Sequence, residues 1–326
     1  MSKISDILDR RMDLSMMLEE PAPPQEMVIP GFVRGTVGVL MGSGGTGKSW
    51  LGLQLMVGLA AMSAEGADTL ELFRSGEFRE APAVYLAAED PEAILWQRFQ
   101  DLRTYLPDLA IKKIIRNLHV IPLLGSQVRI EQDEWLTGII AQIVKTGAKL
   151  AIFDTFSRFH GSGAENDNGY IASILSRLET IAAKANVAIL VIHHVSKVAS
   201  LSGSGDNAHA ARGASALTDN ARFAAFLQTM TEEEAKKHLG EKDHPDRKKY
   251  VKFGISKGNY TEVVTDRWFM RGRGGVLRPH IFASAVSSEK STSKAIKLKL
   301  RAPVGDFAEI GSADLVAGDE DDVRGL

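Results

Sequence analysis

The sequence predicts an α/β protein with a mostly parallel central sheet flanked by helices, followed by late antiparallel strands. Three observations predict it. Short runs of continuous rather than alternating apolar residues at 36–41, 83–87, 150–153 and 187–192 mark strands covered on both faces. Segments of helical spacing lie between them, so strand and helix alternate. Glycines, acids and histidines gather just past the ends of these runs, where open α/β sheets bind ligands.

The elements follow in order. Residues 1–26 read as an amphipathic helix, with Ile4, Leu8, Met12 and Met16 between charges, and then a hinge at Pro21, Pro23 and Pro24. A lone helix of that length is marginal in water, so it is expected to pack on the core or on a neighbouring subunit. Residues 27–284 form the main domain. Its first strand, 36–41, leads into a Gly-rich turn and then a helix over 48–62, with Leu51, Leu55 and Leu59 on one stripe. Helices are predicted over 92–105, 132–145 and 170–184. The Gly/Ser/Ala-rich stretch 200–216 reads as a loop. Strands at 222–228, 250–256 and 267–269 are antiparallel candidates. Residues 285–326 read as a tail, basic at first (Lys290, Lys294, Lys297, Lys299, Arg301) and acidic at its end (Asp319, Glu320, Asp321, Asp322).

The totals narrow the function. The 326 residues carry a net charge of −2 and a pI near 6.5, without the basic excess of a protein that coats a duplex. Contact with nucleic acid would have to be local, through a few loops. The absence of cysteine excludes disulfides and thiolate metal sites. No apolar stretch reaches bilayer length and no secretory signal is visible, so the expectation is a cytoplasmic protein without membrane contact.

The turn Gly42-Ser43-Gly44-Gly45-Thr46-Gly47-Lys48-Ser49 has the pattern of a P-loop. Its glycines let backbone amides turn toward an anion, and the following helix adds its positive N-terminal dipole. Lys48 suits the β- and γ-phosphates of ATP, and the Ser49 hydroxyl suits Mg2+. Asp154, at the end of run 150–153, stands where an acid holds magnesium through water, or simply caps a turn. Glu89 and Asp90 end the run 83–88. Either could polarise an attacking water, with Glu89 the better candidate because Asp90-Pro91 also reads as a helix start. His193 and His194 end the run 187–192. One could touch the γ-phosphate; as neighbours on a strand they face opposite ways and chelate a metal poorly.

Further short motifs follow in a fixed order. Thr36-Val37-Gly38 precedes the P-loop, and Ala88-Glu89-Asp90-Pro91, Phe153-Asp154-Thr155, Arg158-Phe159-His160 and His193-His194 come after it. Asp219-Asn220-Ala221-Arg222, Ser256-Lys257-Gly258-Asn259-Tyr260, Asp266-Arg267-Trp268-Phe269 and Gly274-Gly275-Val276-Leu277 complete the series. In these residues, over roughly 25–280, the chain resembles the RepA-type replicative helicases of broad-host-range plasmids, ring-forming ATPases of the RecA/DnaB-like class. The resemblance implies a RecA-like fold, ATP and Mg2+ as ligands, and a homo-oligomer in the form of a hexameric ring. It implies that Glu89 is the catalytic base, Asp154 the magnesium-side acid and His194 the γ-phosphate sensor. It implies that Arg222 is a finger reaching the next subunit's ATP. Arg98 and Lys257 are further candidates at the nucleotide or the subunit joint. Loops 157–169 and 197–213, with Arg158, Lys197 and Arg212, would face single-stranded DNA. One departure stands out: the Lys-x-Arg finger pair of the DnaB type is incomplete, since Gly258 and Asn259 follow Lys257. The competing reading is an ATP-dependent DNA-binding or regulatory ATPase that separates no strands.

Overall fold

The computed structural model describes residues 4–73, 79–161, 168–195, 214–260 and 266–282. The chain opens on two short helices, α1 (Ile4–Leu8) and α2 (Leu14–Glu19), where the sequence predicts one. The break has a local cause. Asp13 caps α2, its carboxylate accepting from the Met16 amide at 3.1 Å, so a new helix starts there. Neither helix packs on the core as expected. Ile4, Leu8, Met12 and Met16 stay exposed, because helices of five and six residues present too short a stripe to bury.

A small antiparallel pair follows, β1 (Met27–Ile29) and β2 (Phe32–Val33). Then come β3 (Val37–Gly42), α3 (Lys48–Ala60), β4 (Ala83–Ala87), α4 (Glu92–Arg103), α5 (Asp108–Asn117), β5 (Leu118–Pro122) and α6 (Asp133–Thr146). They are followed by β6 (Leu150–Asp154), α7 (Asn168–Ala185), β7 (Ala188–His194), α8 (Ala214–Asn220), β8 (Phe223–Thr229), α9 (Glu232–Leu239), β9 (Tyr250–Gly258), β10 (Arg267–Arg271) and β11 (Leu277–His280). Among the described residues, β3 to β11 make one sheet in the order β11-β10-β9-β8-β3-β7-β6-β4-β5. The strands from β8 to β5 in that order are parallel; β9, β10 and β11 continue the sheet as an antiparallel meander.

One expectation is corrected here. The strand predicted at 222–228 is not purely antiparallel: β8 runs parallel to β3 on one side and antiparallel to β9 on the other. It is the last parallel strand and the start of the meander. Its continuous apolar face explains this, since β8 is covered like the central strands, with Phe223, Ala224, Ala225 and Leu227 buried.

Side chains alternate across the sheet and build two cores. Leu40, Tyr85, Ile152, Leu190 and Ile192 join α3, α4 and α5 on one face. Val39, Met41, Val84, Leu86, Phe153 and Val191 join α6, α7 and α8 on the other. The α3 helix is buried around nearly its whole circumference, not along one stripe, because it fills the middle of its face. Burying a leucine there stabilises the fold by about 1.5–3 kcal/mol, so Leu55 is among the residues the fold depends on most.

Met1–His280 form one compact unit; of a second, Ile281–Leu326, only Ile281 and Phe282 are described. The tail at 285–326 and the loop 197–213 lie outside the described residues, as does the stretch 162–167 within loop 157–169. Among the described residues no helix is long and apolar enough to cross a membrane.

Candidate nucleotide site

The sheet order places the C-terminal ends of β3, β7, β6 and β4 side by side. Strand parity then selects the face. Ile192 and Leu190 point into the α3 core, so His194, two residues on, lies on the α3 side. The same count from Ile152 places Asp154 there, and from Tyr85 and Ala87 it places Glu89 there. His193, one step out of phase, lies against Phe156 on the other face, their rings 5.9 Å apart. The two histidines therefore do not share a site, in agreement with the argument against chelation.

The P-loop runs from the end of β3 into α3. Gly45 and Gly47 carry φ of +74° and +98°, left-handed values that suit glycine. Gly42 is needed for room instead: a Cβ there would stand 2.4 Å from the Leu227 carbonyl oxygen. Gly44, expected to serve the turn like the others, meets neither condition, since its φ is not positive and a Cβ would touch nothing within 4 Å. The N-cap of α3 is Gly47, which offers no side-chain oxygen to the amides of the first turn. Those donors stay available to an anion. Thr46 closes the loop on itself, its hydroxyl donating to the Ser43 carbonyl at 2.9 Å.

Lys48 is almost wholly buried. Its ammonium donates to the carbonyls of Gly42 (2.8 Å) and Ser43 (2.9 Å) and lies 3.2 Å from His194 Nδ1. An ammonium only donates, so Nδ1 accepts and the imidazole hydrogen sits on Nε2. Nε2 faces Glu89 Oε2 at 3.4 Å. Lysine, imidazole and carboxylate thus form one line across the site. Burial pushes the Lys48 ammonium down to about 8, against the opposing pull of Asp154 and Glu89.

Asp154 is buried, and burial raises its carboxyl above the ordinary range, against hydrogen bonds from Tyr85 and Ser49. The Tyr85 hydroxyl donates to Oδ2. Burial and the neighbouring Asp154 charge hold that phenol far above its usual range, so Tyr85 remains a donor. The other oxygen, Oδ1, is buried with no hydrogen-bond partner among the described residues. A buried carboxylate oxygen left bare beside a serine hydroxyl is the donor set of a hard cation, and the residues fit Mg2+ on this ground. Such a cation, when bound, neutralises phosphate charge; Ser49 and Asp154 would hold it.

Glu89 and Asp90 separate here. Asp90 pairs with Arg98 Nη2 at 2.6 Å, while Glu89 turns to His194. The expectation that Asp90 caps the next helix with Pro91 inside it is corrected: Pro91 is itself the N-cap of α4, without a side-chain cap bond. Arg98 is held by Asp90 and by the Trp50 ring, 5.9 Å from its guanidinium. Its charge acts on the Asp154 carboxyl and the Tyr85 phenol, holding both lower than burial alone would set them.

Arg222 and Lys257 lie elsewhere. The Arg222 amide donates to the Val37 carbonyl at the start of β3, whereas the P-loop leaves from its end. An extended strand of six residues separates these points by roughly 16 Å. The Arg222 side chain is exposed and has no ion pair or hydrogen bond among the described residues. The Lys257 ammonium caps the end of α8, donating to the carbonyls of Thr218 (3.0 Å) and Asp219 (2.8 Å). Neither residue joins its own chain's cradle.

Sequence reasoning missed Tyr85, Gln54 and Arg271. Tyr85 stands on the same face as Glu89, and its parity was the available signal. Gln54 is a fully buried polar residue in α3, which the helix pattern hides. Arg271 follows Phe269 on the α3 face of β10, and its guanidinium donates to the P-loop carbonyls of Gly45 (2.8 Å) and Thr46 (2.9 Å).

The geometry is that of a phosphate cradle with a buried acid, a second carboxylate and a histidine at adjoining strand ends. A family model described as an AAA domain matches residues 5–200, which include the P-loop, Glu89, Asp154 and His194. That match covers more than half of the chain, and the chain belongs to this family of AAA-type P-loop ATPases.

Proposed function

We propose that this chain is the protomer of a ring-forming, ATP-driven DNA helicase of the plasmid or phage replication type. Lys48 and the P-loop amides bind the phosphates, Ser49 and Asp154 hold Mg2+, and Glu89 takes the proton from the attacking water. His194 stands between Lys48 and Glu89, so a γ-phosphate meeting Lys48 disturbs the imidazole and frees the carboxylate. Single-stranded DNA runs along loops 157–169 and 197–213, with Arg158, Lys197 and Arg212 at its phosphates. Six copies close a ring in which Arg222 of one protomer completes the site of the next.

The observation that carries this reading is the split between a cradle equipped for hydrolysis and an exposed Arg222 at the opposite end of β3. A cation so placed serves a nucleotide only across a subunit joint. The test is strand displacement on a forked duplex with ATP, alongside ATPase with and without single-stranded DNA at low salt. Displacement that requires hydrolysable ATP supports the helicase. ATPase stimulated by DNA without displacement selects the DNA-binding or regulatory ATPase, and a rate indifferent to DNA removes DNA from the account.

A further inference from the structure

We propose that the β10–β11 hairpin is part of the phosphate-binding machinery and that Arg271 is a positioning residue for the cradle. The inference rests on residues 42–49 binding phosphate, and it concerns a region beyond the 5–200 span of the family match.

Two contacts of different kinds carry it. The first is the guanidinium of Arg271, whose Nη1 and Nη2 reach the consecutive carbonyls of Gly45 and Thr46. A planar fork suits two neighbouring acceptors, and hydrogen bonds from a charged donor are the stronger kind. The second is Gln54, fully buried in the helix that follows the P-loop. Its amide group donates to the Leu277 carbonyl and accepts from the Leu277 amide, both at 2.8 Å. It therefore pairs with β11 much as a neighbouring strand would. The Leu277 side chain also closes over the loop, 3.7 Å from where a Cβ on Gly47 would stand. The hairpin thus grips the loop through Arg271 and the helix behind it through Leu277.

The consequence for anion binding follows from peptide chemistry. The carbonyl of Gly45 shares its peptide group with the amide of Thr46, and the carbonyl of Thr46 with the amide of Gly47. A cation on the oxygen polarises the group and makes its N–H a better donor. The same bonds fix the peptide planes in a stretch where Gly45 and Gly47 have left-handed φ and the freedom to turn away. Arg271 therefore presets, from outside the loop, the amides that receive phosphate. It acts through the backbone and touches no reacting atom.

Arg271 also borders an open cavity of about 410 Å³ beside Ser43–Gly45, lined as well by Arg247 and Lys248. A direct contact of Arg271 with the nucleoside end of a ligand is therefore the alternative, and pyrophosphate separates the two. The experiment is calorimetric titration of ADP and of inorganic pyrophosphate into the full chain, as wild type, Arg271→Met and Arg271→Lys, with melting temperatures and the KM–kcat split for ATP. The Met variant should lose about tenfold or more in affinity for both ligands, by the same factor. The KM for ATP should rise by a similar factor, with kcat within a few-fold. Arg271→Lys should recover part of the loss, since one ammonium can meet one carbonyl, and it carries the comparison if the Met variant does not fold. Wild-type affinities in a variant with a lowered melting temperature would overturn the proposal, leaving Arg271 a fold residue. Loss for ADP with pyrophosphate unchanged would overturn it in favour of a nucleoside contact. A wild-type protein that binds neither ligand overturns the nucleotide reading itself, which keeps that failure distinct from a failure seen only in the comparison of variants.

Discussion

The two ends of β3 carry opposite kinds of charge arrangement. At its C-terminal end each charged group is engaged by another: Lys48 by two carbonyls and His194, Glu89 by His194, Asp154 by Tyr85, Asp90 by Arg98. At its N-terminal end Lys257 is occupied in capping α8, and Arg222 stands exposed with no partner among the described residues. The first end resembles a finished device for holding phosphate and activating water. The second presents the Arg222 guanidinium, a planar cation with no hydrogen-bond or ion-pair partner among the described residues. The difference teaches how labour would be divided under the proposed function: the cradle serves binding and water activation within one chain, and Arg222 is left for a neighbouring subunit.

Lys48→Ala strikes the finished end hardest. It removes the buried ammonium from the cradle, and ATP turnover should fall by roughly a thousandfold. Turnover near the wild-type rate would break the comparison at its first half. Glu89→Gln comes next. The carboxamide cannot take a proton, so hydrolysis should drop by about 100-fold while ATP still binds. Asp90→Asn should lose much less, because Asp90 serves Arg98. If the Asn variant is the dead one and the Gln variant turns over, the base is Asp90.

The smallest expected effect is that of pH. Lys48 is pushed down to about 8 in the free site, and phosphate favours its protonated form. Below pH 8 the lysine is already charged and ADP affinity, measured in EDTA, should be flat. Above pH 8 each unit costs a proton that the ligand must restore, so affinity should fall by up to about tenfold per unit. A curve flat from pH 7 to 10 would place Lys48 in a less buried setting than its contacts describe.

Much of this was legible in the sequence. The runs at 83–87 and 150–153 became β4 and β6 almost residue for residue, because a strand covered on both faces has no alternative to continuous apolar side chains. Strand parity sets His194 apart from His193, but only the packing of Leu190 and Ile192 against α3 shows which of the two faces the cradle. Other parts were hidden for physical reasons. The edge strand β5 is only partly buried along its length and lacks the continuous apolar signature, so it and α5 before it went unassigned. The hold of Arg271 on the P-loop spans more than 200 residues of sequence and depends on which face of β10 meets the α3 side, which no local pattern encodes. The direction of β8 was missed for the same reason, because a strand's partners are a property of the sheet.

The central claim is that Arg222 completes a neighbour's site, and subunit mixing tests it most directly. Lys48→Ala has a dead cradle and an intact Arg222; Arg222→Ala has an intact cradle and no finger. Each alone should be nearly inactive, since a finger of this kind is worth about a thousandfold or more in rate. Mixed and allowed to exchange, some joints pair a good cradle with a good arginine, and ATPase activity should partly return. Activity that stays absent in the mixture, or an Arg222→Ala protein that hydrolyses ATP at the wild-type rate, would contradict the account.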